Sequence, residues 1–257
     1  MKKLLRSLAM AFSMYSILPA PRVEWKAENM RYAFCFFPLI GVVIGAAEFG
    51  WLWLCRLFGV GPGLTAAVAT AIPVLLSGGI HLDGFCDTSD ALASHAPAER
   101  KLEIMKDPHI GAFGVMACVL CLLLTFGLWT QYRFHPRTAG MLALGFVLSR
   151  SLSGLTVVSM RCAKPGGLAA LFSENAAKGR VRVLLAALAL LCAAAMLALS
   201  PPAGAAGLLA ALVVLLHYRW LAYRCFGGIT GDLAGYFLTV CEAAVLTAAV
   251  LFEGVLL

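Results

Sequence analysis

Charge is scarce in this sequence. Only 13% of its 257 residues are Asp, Glu, Lys or Arg, and only thirteen are acidic. A soluble domain is about one quarter charged and about half apolar, whereas 61% of this chain is hydrophobic, with a mean hydropathy of +0.89. One core cannot absorb that much apolar surface. A water-soluble globule is excluded and the bilayer becomes the solvent. Cysteine chemistry is a second absence. Nine cysteines are present, but only Cys118 and Cys121 form a CxxC, inside an apolar run and with no second pair. The paired spacing of a zinc or disulfide framework is lacking, so the cysteines read as small buried hydrophobes. No internal repeat is evident, and the chain reads as a single integral membrane domain over residues 1–257.

What is there is a series of apolar runs. A spanning helix needs about 20 mostly apolar residues, and runs of that kind lie near 32–55, 62–77, 111–132, 138–160, 182–200, 203–222 and 235–256. The expected fold is therefore all-α, a polytopic bundle of about seven transmembrane helices. The second run is short and carries Pro73, which predicts a tilt or kink. The first thirty residues resemble a signal peptide, but Ser13, Tyr15 and Ser16 interrupt the apolar stretch. They are expected to stay uncleaved as an amphipathic or re-entrant segment.

The net charge is +7. In a soluble protein this would suggest nucleic acid, but here the basic residues lie mostly in loops, and no nucleic acid is expected. With the N-terminus in the cytoplasm, seven crossings place sixteen of the twenty Lys and Arg residues on the cytoplasmic side. Arg56, Arg133 and Arg137 fall on the other side, and Arg150 lies within a span. This bias is what the positive-inside rule requires. It points to a multi-pass membrane protein with its N-terminus and its acidic stretch on the cytoplasmic side.

The few acids are gathered. Six of thirteen fall in 77–110, read as a cytoplasmic acidic loop. Asp83, Asp87 and Asp90 are spaced i, i+4, i+7, one face of a helix, where like charges repel. A cation should neutralise them. Mg²⁺ suits hard oxygen ligands shared with substrate phosphates. Capping of a helix start accounts for Asp83 and Asp87 but not for Asp90, two turns in. His81 is a candidate acid/base or an orienting group. Gly84 allows close approach of a ligand.

Glu99, Glu103 and Asp107 follow at i, i+4, i+8, interspersed with Arg100 and Lys106. They form either a solvated, ion-paired helix or, for Glu103 and Asp107, part of a second metal shell. The stretch GGITGDLAGYF (227–237) offers glycines, among them Gly231, for cradling phosphate, with Asp232 inside it. The same glycines suit close helix packing. Glu48 and Glu242 sit within spans, where ionised groups are rare and face a polar interior. Arg150 either pairs with one of them or clamps a substrate phosphate. Together these features describe phosphoryl transfer at the cytoplasmic face.

At this point the motifs form a pattern. GGIHLDGFCDTSDAL, KLEIMKDPHIGAFGV, FFPLIGVVIGA, LSR and GGITGDLAGYF resemble, in order and spacing, those of the cobalamin-5'-phosphate synthase (adenosylcobinamide-GDP ribazoletransferase) family. The resemblance runs from Leu18-Pro19 to Glu242. It implies a polytopic inner-membrane enzyme that joins adenosylcobinamide-GDP to α-ribazole or its 5'-phosphate, releases GMP and requires Mg²⁺. Carried over by position, it implies metal binding by Asp83, Asp87, Asp90 and Glu103, and acid/base work by His81 or Asp107. It implies substrate contacts by Gly84, Lys106, Arg150, Gly231 and Asp232; Glu48 and Glu242, by their place in the spans, are expected in structural or secondary roles. The chain departs from the family pattern at Pro108-His109, where Ser-Arg is usual, at Ala112 in place of Thr, and at Tyr236 in place of a small residue. The expected partners are the two substrates and the lipid bilayer; a homo-oligomer is compatible with the sequence. Two rivals stand beside this reading. A CDP-alcohol-type phosphotransferase would carry DGxxAR, but Thr88-Ser89 follow Asp87. A transporter with an acidic relay would place its acids at mid-bilayer, and only Glu48 and Glu242 lie there.

Overall fold

The computed structural model describes residues 2–164 and 166–253. The described residues are helical apart from loops and a single parallel bridge between Cys162 and Ile229. Helix α1 (Lys2–Tyr15) is followed by α2 (Ala27–Met30), α3 (Ala33–Phe58), α4 (Pro62–Leu76), α5 (Ile80–Ala93) and α6 (Ala98–Ile104). Then come α7 (Ala112–Gln131), α8 (Pro136–Ser159), α9 (Leu168–Asn175), α10 (Lys178–Leu199), α11 (Pro201–Cys225) and α12 (Gly231–Glu253).

Six of these, α3, α7, α8, α10, α11 and α12, are long and apolar enough to cross a membrane; α4 and α5 together make a seventh if they are one broken span. All seven apolar runs of the sequence fall on these elements, although residues 254–256 of the last run lie outside the described residues. Helix starts follow elementary rules. Pro62, Pro136 and Pro201 occupy first-turn positions of α4, α8 and α11, where a missing N–H does no harm. Gly59 ends α3 in the left-handed conformation, as a C-terminal glycine does.

Helix α8 is the axis of the bundle, with most of its length buried. Helix α3 lies against it because Gly41 and Gly45 bring their backbone onto the carbonyls of Phe146 and Ala143; a Cβ at either position would collide with them. Small residues at such crossings let helices approach closely where lipid gives no hydrophobic drive. On one end of the bundle the connections are short: 59–61, 132–135 and Ser200. The shorter helices α5, α6 and α9 belong to the other end. The bridge Cys162–Ile229 and the bond from Ala177 N–H to the Arg31 carbonyl tie that end together.

The stretch 77–110, the acidic segment between spans, carries its acids, Asp107 apart, on helices, as their spacing predicts. It is two helices, α5 and α6, joined by residues 94–97. The chain leaves α4 through Gly78 (φ 66°) and Gly79 (φ 77°), consecutive left-handed residues that L side chains avoid. They swing α5 by 91° relative to α4. At 14 residues α1 is too short to span. It exposes Leu4, Leu5 and Arg6 and is fixed to α2 by the Ser7 hydroxyl, which donates to the Asn29 carbonyl at 2.7 Å.

Candidate active site

The site grows from the crossing of α5 and α12. A Cβ on Gly84 would lie 2.7 Å from the Asp232 Cα and carbonyl oxygen, and one on Gly235 would lie 2.9 Å from the His81 carbonyl. The two helices therefore run in backbone contact, and the Thr239 hydroxyl fastens them by donating to the His81 carbonyl at 3.3 Å. This contact brings Asp232, at the first turn of α12, to the carboxylates of α5. Asp83, Asp87 and Asp90 of α5 and Asp232 of α12 are thus mutually repelling neighbours. Asp83 is exposed; Asp87 and Asp232 are half-buried. Two carboxylates one helical turn apart thus acquire a third from a segment nearly 150 residues away.

Next to Asp232 a cavity of about 330 Å³ opens. Its walls include Lys106 beyond α6, Lys164, the glycines 166–167 that lead into α9, and Thr230 and Gly231 at the start of α12. Two helix N-termini face it. Their free N–H groups carry partial positive charge and suit a phosphate. The Thr230 hydroxyl takes one such N–H, from Leu233, at 3.1 Å. The loop before α12 is held by the bonds of the 162–229 bridge, from Ile229 N–H to the Arg161 carbonyl and from Ala163 N–H to the Ile229 carbonyl, each 2.9 Å. Gly228 is obligatory there, since a Cβ would meet the Arg161 carbonyl at 2.6 Å. The site pairs carboxylates on one side with two lysines and two helix termini on the other.

Asp90 departs from its expected place as a metal ligand. Its two oxygens accept the backbone N–H groups of Gly111 and Gly114, each at 2.8 Å. It caps α7, whose own N-cap, Gly111, has no side chain to do so. Glu103 also stands apart. It is exposed and paired with Arg100 at 2.9 Å on the outer face of α6. Asp107 accepts the His109 N–H at 2.9 Å, and a ring nitrogen of His109 lies 2.9 Å from the same oxygen. The backbone bond first, and the ring second, hold its carboxyl below the usual carboxylate range. A carboxylate made more acidic is a weaker base.

His81 and Arg150 line a different space, a cavity of about 90 Å³ deeper in the bundle, shared with Thr70, Thr125 and Glu242. The His81 ring sits against Tyr15 and Phe37, and its Nε2 is shut off from solvent without a hydrogen-bond partner. It is not presented to the carboxylate face. Arg150 is 0% exposed. Its Nη1 donates to Glu242 Oε1 at 2.6 Å and to the Phe146 carbonyl at 3.0 Å, and the Ser149 hydroxyl donates to the same Glu242 oxygen at 2.9 Å. Of the two roles left open by sequence, the structure shows the pairing with a carboxylate. Glu48, 1% exposed, has no hydrogen-bond partner on either oxygen.

Gly84 acts through close packing with α12, Gly231 lies exposed at the cavity rim, and Lys106 lines the cavity. The residue missed by sequence reasoning is Lys164, read there only as loop charge. Its signal was local, a lysine just before Gly166 and Gly167 between two spans. Among the described residues no three His, Cys, Asp or Glu side chains are already gathered as a metal-holding group. The donor set nonetheless fits Mg²⁺. It is a set of mutually repelling carboxylates beside an anion pocket, and Mg²⁺ usually takes one or two carboxylates and completes its shell with water and phosphate.

Comparison with known proteins identifies the family. The family model for cobalamin-5-phosphate synthase matches residues 7–250. An adenosylcobinamide-GDP ribazoletransferase of Lachnoclostridium phytofermentans is 46% identical over 99% of this chain and 97% of its own length. Proteins of the same name from Pseudomonas paraeruginosa and Clostridium perfringens are 37% and 34% identical, covering 98% and 94% of this chain and 100% and 96% of their own. No solved structure matches. With its motifs, its helix bundle and these relatives in agreement, the chain belongs to the cobalamin-5-phosphate synthase family and is an enzyme of that family.

Proposed function

We propose that this enzyme joins adenosylcobinamide-GDP to α-ribazole or its 5'-phosphate, releasing GMP, at the cytoplasmic face of a bacterial inner membrane. The observation that carries the reading is the backbone contact of Gly84 with Asp232, which sets Asp232 beside the acidic face of α5 and on the wall of a cavity lined by Lys106 and Lys164. Negative and positive groups flanking one pocket suit a diphosphate with a bound cation.

Asp83, Asp87 and Asp232 would hold Mg²⁺. Such an ion neutralises phosphate oxygens and stabilises charge developing on them. Lys106, Lys164 and the termini of α9 and α12 bind and orient the diphosphate. The ribazole hydroxyl oxygen forms a bond to the phosphorus on the cobinamide side. The bond from that phosphorus to the bridging oxygen breaks, and GMP departs. The hydroxyl proton leaves to solvent at the exposed Asp83 edge. Neither His81, turned into the bundle, nor Asp107, held acidic by His109, is set to take it. The positive-inside bias orients the site to the cytoplasm, where both water-soluble substrates are accessible.

The test is product identification. Protein in nanodiscs is given the GDP-activated corrinoid with α-ribazole, and separately a CDP-alcohol with the same acceptor. Mass spectrometry should find cobalamin and GMP in the first reaction and nothing in the second. The reverse pattern rejects the proposal.

A further inference from the structure

Asp90 stands in the acidic face of α5, and each of its oxygens accepts a backbone N–H. One accepts Gly111 N–H and the other Gly114 N–H. The fit is tight, because a Cβ on Gly111 or Gly114 would collide with the Asp90 carboxylate, and one on Gly114 would also come within 3.0 Å of the Cys86 carbonyl. A carboxylate seated on a helix N-terminus this way satisfies orphan N–H groups and the helix dipole together.

The bonds do not stop at α7. Between α6 and Gly111 the chain is held residue by residue. Lys106 N–H bonds the Glu103 carbonyl and Asp107 N–H the Ile104 carbonyl, both at 3.0 Å. His109 N–H then bonds Asp107 Oδ1 at 2.9 Å. Gly111 is anchored to Asp90, five residues beyond Lys106. Lys106 itself is exposed and forms part of the cavity wall. Its backbone is therefore fixed from both sides, by α6 and by Asp90.

We propose that Asp90 is a positioning residue: it locks the α6–α7 connection to α5 and so holds Lys106 at the phosphate cavity. Lys106 as a phosphate contact rests on the reading above; the lock itself does not. The metal face is then Asp83, Asp87 and Asp232, and Asp90 acts on substrate binding through the backbone.

Hydrogen–deuterium exchange and kinetics separate the possibilities. In Asp90→Asn, peptides covering 105–116 should exchange about tenfold faster, the size of one lost charge-assisted hydrogen bond. In Asp87→Asn they should not change. The KM for the GDP-activated corrinoid should rise about tenfold in Asp90→Asn and in Lys106→Ala, and the double variant should be no worse than either, because coupled sites are not additive. The Mg²⁺ concentration for half-maximal rate should stay within about twofold. Gly111→Ala leaves the carboxylate in place but breaks its seat, and should reproduce the KM effect even if Asp90→Asn fails to fold. Unchanged exchange together with a large rise in the Mg²⁺ requirement makes Asp90 a ligand and overturns the lock. Additive KM effects, or a wild-type Gly111→Ala, also overturn it. If the wild type releases no GMP at all, the reaction assignment fails while the exchange result still decides the lock.

Discussion

Gly84 on α5 and Asp232 on α12 meet so closely that a single methyl group between them has no room. A Cβ on Gly84 would lie 2.7 Å from the Asp232 backbone. That contact joins two motifs far apart in the chain and sets the third carboxylate beside Asp83 and Asp87. Overpacking a tight crossing costs about 1–3 kcal/mol. Gly84→Ala is therefore expected to lower the unfolding temperature in detergent and to cut turnover at least about tenfold by moving Asp232. Gly50→Ala, at a glycine with nothing near its Cβ position, is the control and should change neither.

Lys164 lines the cavity with Lys106, although the sequence reading took it only as loop charge. If both touch the diphosphate, Lys164→Ala should raise KM for the corrinoid substrate about tenfold, the usual loss for one charge-assisted contact. KM for α-ribazole should move much less. Equal changes for the two substrates would place Lys164 elsewhere. Initial rates with one substrate varied at a time decide this.

The Arg150–Glu242 pair should matter for stability. Removing one member of a buried pair leaves an uncompensated charge and costs about 3–5 kcal/mol. Arg150→Met alone should destabilise the protein strongly, and adding Glu242→Gln should restore most of the loss, because that variant removes the charge left behind. Thermal unfolding in detergent measures both. If the double variant is as unstable as the single, the pair is not what Arg150 provides.

A pH dependence follows from Asp107. Its bonds to His109 favour the ionised form, so its pKa in the folded protein is depressed. The associated stability is present above the ordinary carboxylate value of about 4 and is lost as pH falls through the depressed value. Throughout the neutral range Asp107 stays charged and is a poor proton acceptor. Asp107→Asn should thus leave the acid limb of the rate–pH profile in place and lower kcat less than about tenfold. An acid limb that disappears in this variant would restore Asp107 as the base.

The seven apolar runs and their order were legible in the sequence because burial in lipid demands long uninterrupted apolar helices, which leave an unambiguous signal. The bend at Gly78-Gly79 was not. Two glycines announce freedom, not the direction taken. The carboxylate cluster was half legible. Asp83 and Asp87 share a helix face that periodicity reveals, whereas Asp232 joins them through a helix crossing, and Asp90 leaves them because two glycine N–H groups claim its oxygens. Both events depend on tertiary contacts without any local pattern. Arg150 illustrates the same limit. Sequence shows that a buried arginine needs an anionic partner, but only the packing of α8 on α12 selects Glu242.

The central claim is that Asp232 completes an Mg²⁺-dependent carboxylate site with Asp83 and Asp87. Its most direct test is GMP release measured across a Mg²⁺ titration for wild type and Asp232→Asn, each shown to be folded by its unfolding temperature. No release is expected without divalent cation in the wild type, and a loss of about 100-fold or more in the variant, comparable to losing a major electrostatic contributor to a transition state. Cation-independent release, or an Asp232→Asn enzyme with wild-type rate and Mg²⁺ requirement, would contradict it.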